Sequence, residues 1–407
     1  MIDICYALSD EKGTYSKFLG TSLWSLCEHH TAKDLHIHLL HDSTLTENEK
    51  CRLLQTVTYF QQHISFYNVE ALAVDEMVFL RQELPNAGES RYTYAAFYRL
   101  LAAKILPVKV QRYIYLDADT VVNMDVGMLW QLSLKGHSVA AVAESDVIGS
   151  PADNVLVSTG YVEEYDYFNS GVLLVEKQKF LAVGDVLREG IHRLKKINSF
   201  SFYDQDILNL YFSHDYLHLD IAYNLFVPAM QLRGIQQLVP AIYHYDAGSL
   251  GVRVDDVYDR LFYTVFAKTL WCDVDFLYRV FARMELEHNR DLHMARQVFA
   301  VSRRRQRVFC ANDASRAAIE QLFDYTDGDR YLTIRAQDGA ERLLQYELIS
   351  PKGLRLYILF SKRYTELSQV LMAAGWQEGE NFMDGWRLLP AECGGHLYLR
   401  PELIRNL

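Results

Sequence analysis

The stretch "YIYLDADTVV", residues 113–122, places Asp117 and Asp119 one residue apart directly after an apolar run. Carboxylates suit hard divalent cations such as magnesium or manganese. Two of them at the mouth of a sheet can hold a metal while substrate phosphates fill its other positions. The metal then neutralises charge that builds on a departing diphosphate. A plainer alternative is that polar residues cap a buried strand. A helix-loop-helix calcium loop would need an oxygen ligand at 121 and glycine at 122; both are valine, which removes that reading.

The elements around the pair follow a regular rhythm. "DICYAL" is apolar and ends in the turn-rich "SDEKGTY". "YSKFLGTSLWSLCEHH" has helical spacing, "LHIHLLHD" reads as a strand, and "LTENEKCRLLQTVTYF" as a helix capped by Thr46. "HISFYNV" is a further strand. This β-α-β-α-β order predicts a mostly parallel sheet with helices on its faces. Ligands on such sheets sit at the carboxyl ends of strands, where "SDEKGTY" and "LDAD" fall. Later segments continue the pattern. "RYTYAAFYRLLAAKIL" is helical, "SVAAVAESD" a strand ending at Asp146, and "YDYFNSGVLLVE" a strand preceded by Asn169, Ser170 and Gly171. "DQDILNLYF" starts a helix, and "AIYHYDAG" is a strand with His244 near its end.

The chain has 407 residues, enough for two domains of ordinary size. A net charge of -11 argues against a nucleic-acid binder, which needs a basic face. Six scattered cysteines without a C-x-x-C pair read as reduced thiols. Neither a signal peptide nor a membrane span is legible, so the expected setting is cytoplasmic. From about Met284 the texture turns charged and helical. The division expected is 1–285 for the first domain and 286–407 for a helical linker plus a small α/β accessory domain. In that tail, strand-then-helix occurs twice: "RVFCAN" with "DASRAAIEQLFDY", and "LRLYILFS" with "KRYTELSQVLMAAG", the last ending at Gly375.

Two families share features with this chain. "DADTV" resembles the motif of aspartate-nucleophile phosphatases, in which Asp117 would attack phosphorus and Asp119 would act as acid and base. That motif usually opens its domain; here more than a hundred residues precede it. The second resemblance rests on an ordered set: "YALSDEKGTY", "IHLLHDSTLTENEK", "AAFYRLLAAKILP", "YIYLDADTVV", "YFNSGVLLVE", "DQDILN" and "IYHYDAG". From about residue 2 to 246 the chain resembles glycosyltransferase family 8, whose members include glycogenin and bacterial lipopolysaccharide glucosyl- and galactosyltransferases.

That resemblance implies an α/β fold of the A-type glycosyltransferase class, Rossmann-like, with a mixed, mostly parallel sheet flanked by helices. It implies a retaining hexosyltransferase that moves glucose or galactose from a UDP-sugar to a glycan or lipid-linked glycan acceptor. Asp117, Asp119 and His244 match the family's metal ligands. An imidazole beside two carboxylates favours manganese over magnesium. Ala7, Asp10 and Tyr15 match the uracil and ribose site. Arg99 matches an arginine near the donor sugar and diphosphate. Ala118, Asp146, Asn169 and Ser170 fall among the donor contacts. Asp204, Gln205 and Asp206 lie where the family has the donor's reacting carbon. Gln205 is a poor nucleophile, so the resemblance favours same-face transfer, with Asp206 as the alternative nucleophile.

The chain departs from the family after His244. Glycine comes four residues on, at Gly248, and no Lys-Pro-Trp follows; Arg253 is the nearest cation. A donor-binding scaffold without turnover therefore stays open beside the phosphatase reading. "SRRRQR" is the one basic cluster, and Arg303, Arg304, Arg305 and Arg307 could meet anionic lipid headgroups at the inner face of a membrane.

Overall fold

The structure is a computed structural model. It describes residues 1–274 apart from 12, 86–92, 148, 150, 198–201, 247–249 and 251–254, and then 276–278, 282, 306–312, 316, 319–320, 328–334, 341–349, 355–361 and 363–385. The chain forms two compact units, Met1–Phe276 and a second within Leu277–Tyr398.

The first unit is built on seven strands in the order β3-β2-β1-β4-β7-β6-β8. They are β1 Ile2–Leu8, β2 Leu35–His41, β3 His63–Asn68, β4 Arg112–Leu116, β6 Val139–Ala143, β7 Phe168–Glu176 and β8 Tyr216–His218. β1, β2, β3 and β4 run parallel, whereas β7 runs antiparallel to both β4 and β6. Side chains alternate between two cores. Ile4, Tyr6, Ile114, Leu116, Val172 and Leu174 enter one; Cys5, Tyr113, Tyr115, Leu173 and Val175 enter the other. Covering both faces is why these strands read as continuous apolar runs rather than alternating ones.

The helices that follow the first two strands are set by local chemistry. Ser16–His29 buries a broad apolar face that includes Phe18, Leu19, Leu23 and Leu26. Glu47–Tyr59 is capped by Thr46, whose hydroxyl accepts from Glu49 N–H at 3.3 Å. A second, small sheet lies where β4 ends. β5 Thr120–Val122 pairs antiparallel with β10 Ile242–His244, which pairs parallel with β9 Leu225–Phe226.

Three local expectations change. The strand expected to reach Asp146 stops at Ala143, and Glu144–Val147 forms a helical turn. The last ladder bond is Glu144 N–H to Tyr167 O at 2.8 Å, because β7 begins only at Phe168. Asn169, Ser170 and Gly171 lie inside β7 rather than before it. The small β5-β10-β9 sheet was not foreseen from the sequence.

The second unit holds a parallel sheet in the order β12-β11-β13-β14. These strands are β11 Gln306–Ala311, β12 Arg330–Thr333, β13 Arg355–Leu359 and β14 Phe382–Asp384. The helix Tyr364–Ala373 ends before Gly375, whose φ of 88° is the left-handed conformation that terminates helices. Arg307 of the basic cluster is already paired. It lies on β11, and its Nε and guanidinium nitrogen bond both carboxylate oxygens of Asp329 at 2.8 and 2.6 Å. Arg303, Arg304 and Arg305 lie outside the described residues, as do Gly248, Arg253 and nearly all of the helix expected from 284 onward. Among the described residues, no helix is long and apolar enough to cross a membrane.

Candidate active site

β4 ends at Leu116, and its continuation carries the carboxylates. Asp117 N–H donates to Gly171 O at 2.8 Å, a final tie to β7. The chain then enters β5, whose Thr120 faces His244 on β10. Tyr245 N–H donates to Asp119 O at 3.0 Å. Sheet register thus sets His244 beside both aspartates. Its Nε2 lies 3.6 Å from Asp119 Oδ1 and 3.8 Å from Asp117 Oδ2. The three ligand atoms all fall within 4.8 Å of one another.

That spacing fits a divalent cation. Octahedral ligands about 2.1 Å from an ion sit about 3 Å apart in neighbouring positions, so the two His244 distances would contract by about 0.6–0.8 Å to close around it. The remaining atoms of each ligand are already held. Asp117 Oδ1 accepts from Arg99 at 2.7 Å and Tyr115 at 3.1 Å, which turns Oδ2 toward His244. Asp119 Oδ2 accepts from the Tyr15 hydroxyl at 3.2 Å. His244 Nδ1 lies 3.1 Å from Asn224 Oδ1, and Asn224 in turn donates to Asn169 Oδ1 at 2.7 Å. An amide oxygen only accepts, so this network places the proton on Nδ1 and leaves the Nε2 lone pair available to a cation.

Close packing holds the imidazole there. A Cβ on Gly171 would lie 2.4 Å from His244 Cε1 and 3.0 Å from Asp117 Oδ2. Glycine is the residue that lets β7 pass this close.

Arg99 joins the candidate metal ligands to the helix Tyr203–Phe212. One terminal nitrogen donates to Ser170 O at 2.7 Å and Oγ at 2.8 Å, the other to Asp117, and Nε pairs with Asp204 at 2.9 Å. Its guanidinium also lies 4.8 Å from the Tyr115 ring centroid. Every nitrogen of this arginine therefore has a protein partner, so it braces the site rather than reaching out of it. Burial pushes the Asp204 carboxyl up to about 6, outweighing the opposite pull of Arg99.

The neighbours of Asp204 divide in role. Gln205 Oε1 accepts from Ser170 N–H at 3.0 Å and from the Ser170 hydroxyl at 3.3 Å. Asp206 is wholly buried and turned into the fold. Its Oδ1 accepts from Tyr167 at 2.6 Å and Asn154 at 2.9 Å, and its Oδ2 from Phe202 N–H at 3.2 Å.

The first loop is also brought to the site. Asp10 Oδ1 accepts from Tyr15 N–H at 2.6 Å, and Oδ2 accepts from the Ser16 hydroxyl. Gly13 takes a φ of 63° in this turn. Tyr15 is thereby aimed at Asp119, and burial together with Asp119 and Asp117 holds its hydroxyl well above the usual phenol range. Ala7 lies near the carboxyl end of β1, and Ala118 is buried between the two aspartates.

Asp146 is not drawn into this network; it lies exposed on the turn after β6, where its charge bears on Tyr216. Glu144, which the sequence reading missed, is. It is 4% exposed and bonds to Asn169 and Gln205, and its Oε2 has no hydrogen-bond partner among the described residues. Burial pushes its carboxyl up. The signal that could have found it is position: it is the first residue past the end of β6, as Asp117 is past β4.

Comparisons with known proteins give the family and the fold. Residues 4–249 match the family model described as Glycosyl transferase family 8. The chain belongs to glycosyltransferase family 8. Glycosyltransferase GlyF of Streptococcus pneumoniae is 29% identical over 161 residues, which are 37% of this chain and 36% of that protein. A lipopolysaccharide 1,2-glucosyltransferase of Escherichia coli K12 is 29% identical over 133 residues, 33% of this chain and 39% of the relative. The matched region thus spans well under two thirds of these relatives. Among solved structures, the galactosyltransferase LgtC in complex with donor and acceptor sugar analogs is similar with a TM-score of 0.51 at 18% identity. The similarity covers 66% of this chain and 96% of LgtC. The bifunctional glycosyltransferase WbbM aligns with a TM-score of 0.50 at 19% identity, over 66% of this chain and 50% of WbbM. The fold is the A-type glycosyltransferase fold, a mixed, mostly parallel sheet flanked by helices.

Proposed function

We propose that this chain is a metal-dependent retaining hexosyltransferase that moves glucose or galactose from a UDP-sugar to a glycan acceptor. The observation that carries the reading is the convergence of Asp117 Oδ2, Asp119 Oδ1 and His244 Nε2, each with its other polar atom already held. Manganese suits this mixed oxygen and nitrogen set better than magnesium. The bound cation supplies positive charge against the departing diphosphate. The relatives named above, a glucosyltransferase and a galactosyltransferase among them, support a hexose donor and a cell-surface glycan or lipopolysaccharide setting.

The chain's own residues then divide the work. Ala7, Asp10 and Tyr15 form the loop that receives the nucleoside. Asp204, Asn169 and Ser170 border the donor sugar. Glu144 Oε2, buried without a partner, is suited to accept a sugar hydroxyl. Gln205 is pinned by Ser170 and lines the reacting face. A double displacement would need a carboxylate nucleophile. Asp206 is spent on Tyr167, Asn154 and Phe202, which favours same-face transfer. There the acceptor oxygen bonds C1 as the C1–O bond to the diphosphate breaks, and the acceptor's proton passes to the departing diphosphate oxygen. The transferase domain is taken as 1–285, with 286–407 as a linker and accessory domain.

The test is UDP release from a panel of UDP-sugars, with manganese and with EDTA, on the wild type and Asp119→Ala. Manganese-dependent release from one hexose donor, lost in the variant, is the expected result. UDP binding without release from any donor would leave a binding scaffold instead, and absence of UDP binding would overturn the donor assignment.

A further inference from the structure

A second cluster of ligand-type side chains lies at the opposite end of the same sheet. His36 and His38 are two residues apart on β2, so both imidazoles point to one face. Register places Asp3 of β1 beside His36, and His63 and Ser65 of β3 beside His36 and His38. This face belongs to the sheet side that carries Cys5 and Leu40 into the core, where apolar residues are the rule. Here it holds two imidazoles and a carboxylate instead. His38 is fully buried, and the side chains of His36 and Asp3 are only 13% and 15% exposed.

The nitrogens are sorted. His38 Nε2 lies 2.8 Å from Asp3 Oδ1, and His36 Nδ1 faces the same oxygen at 3.9 Å, too far for a hydrogen bond. The ligand atoms of Asp3, His36 and His38 all fall within 4.8 Å of one another. The outward nitrogens have hydroxyl partners: His36 Nε2 lies 2.8 Å from Ser65 Oγ, and His38 Nδ1 lies 3.0 Å from Tyr67 OH. Each ring is thus held from behind, and its other nitrogen is directed at one point. A structural His–Asp hydrogen bond would need only one imidazole.

We propose that Asp3, His36 and His38 form a zinc-class metal site distinct from the candidate active site. Tetrahedral zinc with bonds of about 2.0–2.1 Å spaces its ligands about 3.3 Å apart, between the two distances seen here. Two imidazoles and one carboxylate suit a borderline cation rather than magnesium or calcium. The fourth position falls to water or to His63, whose exposed ring is centred 6.4 Å from that of His36. Ser65 and Tyr67 fix ring orientation, as partners behind metal-bound histidines do. β1 aligns Ile4 with Ile114, so Asp3 lies level with Tyr113. Asp117 lies about 13 Å further along the strand direction at 3.3 Å per residue. The ion therefore ties β1 to β2 at their amino ends and takes no part in transfer.

The test is a calorimetric Zn2+ titration of the full chain in the Asp119→Ala background, which disables the other trio. Asp119→Ala should bind one equivalent of Zn2+, and its Co2+ form should show the visible bands of a four-coordinate site. Adding His36→Gln and His38→Gln should abolish both. Tyr67→Phe, a mild change behind the ligand, should weaken Zn2+ binding about 10- to 100-fold. The proposal is overturned if Asp119→Ala binds no zinc. It is equally overturned if binding and the Co2+ bands survive the double histidine change, or if Tyr67→Phe binds as tightly as its parent. UDP release by the wild type is read separately, so failure of either assignment leaves the other standing.

Discussion

Gly171→Ala tests whether the trio of ligands is a built site. The added Cβ would meet His244 Cε1 at 2.4 Å, Nδ1 at 2.7 Å and Asp117 Oδ2 at 3.0 Å. Carbon atoms in contact normally sit about 3.5–4.0 Å apart, so the imidazole must move by about 1 Å or the strand must shift. Overpacking of this kind costs about 1–3 kcal/mol. A metal–ligand bond tolerates only about 0.2 Å, so a displaced His244 should cease to coordinate. Manganese affinity should fall at least about 100-fold, beyond what loss of a supporting hydrogen bond typically costs. A control separates that loss from general strain. Gly190→Ala drives a Cβ to 2.5 Å from Ile207 Cγ2, an apolar contact between two helices. It should lower the melting temperature comparably while leaving metal affinity unchanged. Titration calorimetry with Mn2+ and thermal melting of both variants provide the comparison. Wild-type manganese affinity in a folded Gly171→Ala protein would refute the reasoning.

Two further outcomes follow from the buried acids. Asp204 is held up to about 6 in the folded chain, so an acid limb in donor kcat/KM is expected below that pH, about tenfold per unit. Asp204→Asn should lower the plateau and remove the limb; a limb unchanged in the variant would exclude Asp204 as its source. For stability the sign is opposite to that of an ordinary paired carboxylate. The folded state binds the proton more tightly, so this group's contribution is full below about 3.8 and is lost as pH rises through about 6. Asp206→Asn weakens charge-assisted bonds from Tyr167 and Asn154 and should cost about 1–3 kcal/mol in urea melts, with kcat within a few-fold of wild type. A drop of about a thousandfold in kcat at unchanged stability would restore Asp206 as the nucleophile.

Sequence position told most about elements that carry their own signal. The run before Asp117 and the turn formers after Leu8 marked strand ends, and those ends do lie at the site. His244 carried no such signal. It meets Asp119 because β10 pairs with β5, a three-residue strand too short to show periodicity; only the ordered resemblance pointed to it. Asp146 was singled out as a family match at the end of a strand expected to reach it, and Glu144 was not singled out. Where a strand stops depends on where its partner begins, and β7 supplies its last acceptor at Tyr167 O. Arg99 illustrates a different limit. A helix arginine can reach outward or inward, and its partners Asp117, Ser170 and Asp204 come from three separate segments.

The charge balance of the site connects these details. Asp117 and Asp204 pair with Arg99, which is already spent, while Asp119 lies beside His244 and Glu144 bonds Asn169 and Gln205 in the same network. Burial relieves part of the excess by raising Asp204 and Glu144. It does not prepare the site for a diphosphate, which would meet Asp117 and Asp119 as like charges in a poorly solvated cleft. A cation between those two aspartates reverses the sign that the diphosphate encounters. Donor and metal should therefore bind with mutual reinforcement, each raising the other's affinity by the same factor. No Lys-Pro-Trp follows His244 in the sequence, so under the proposed function this dependence on the cation should be stronger than where such a lysine is present.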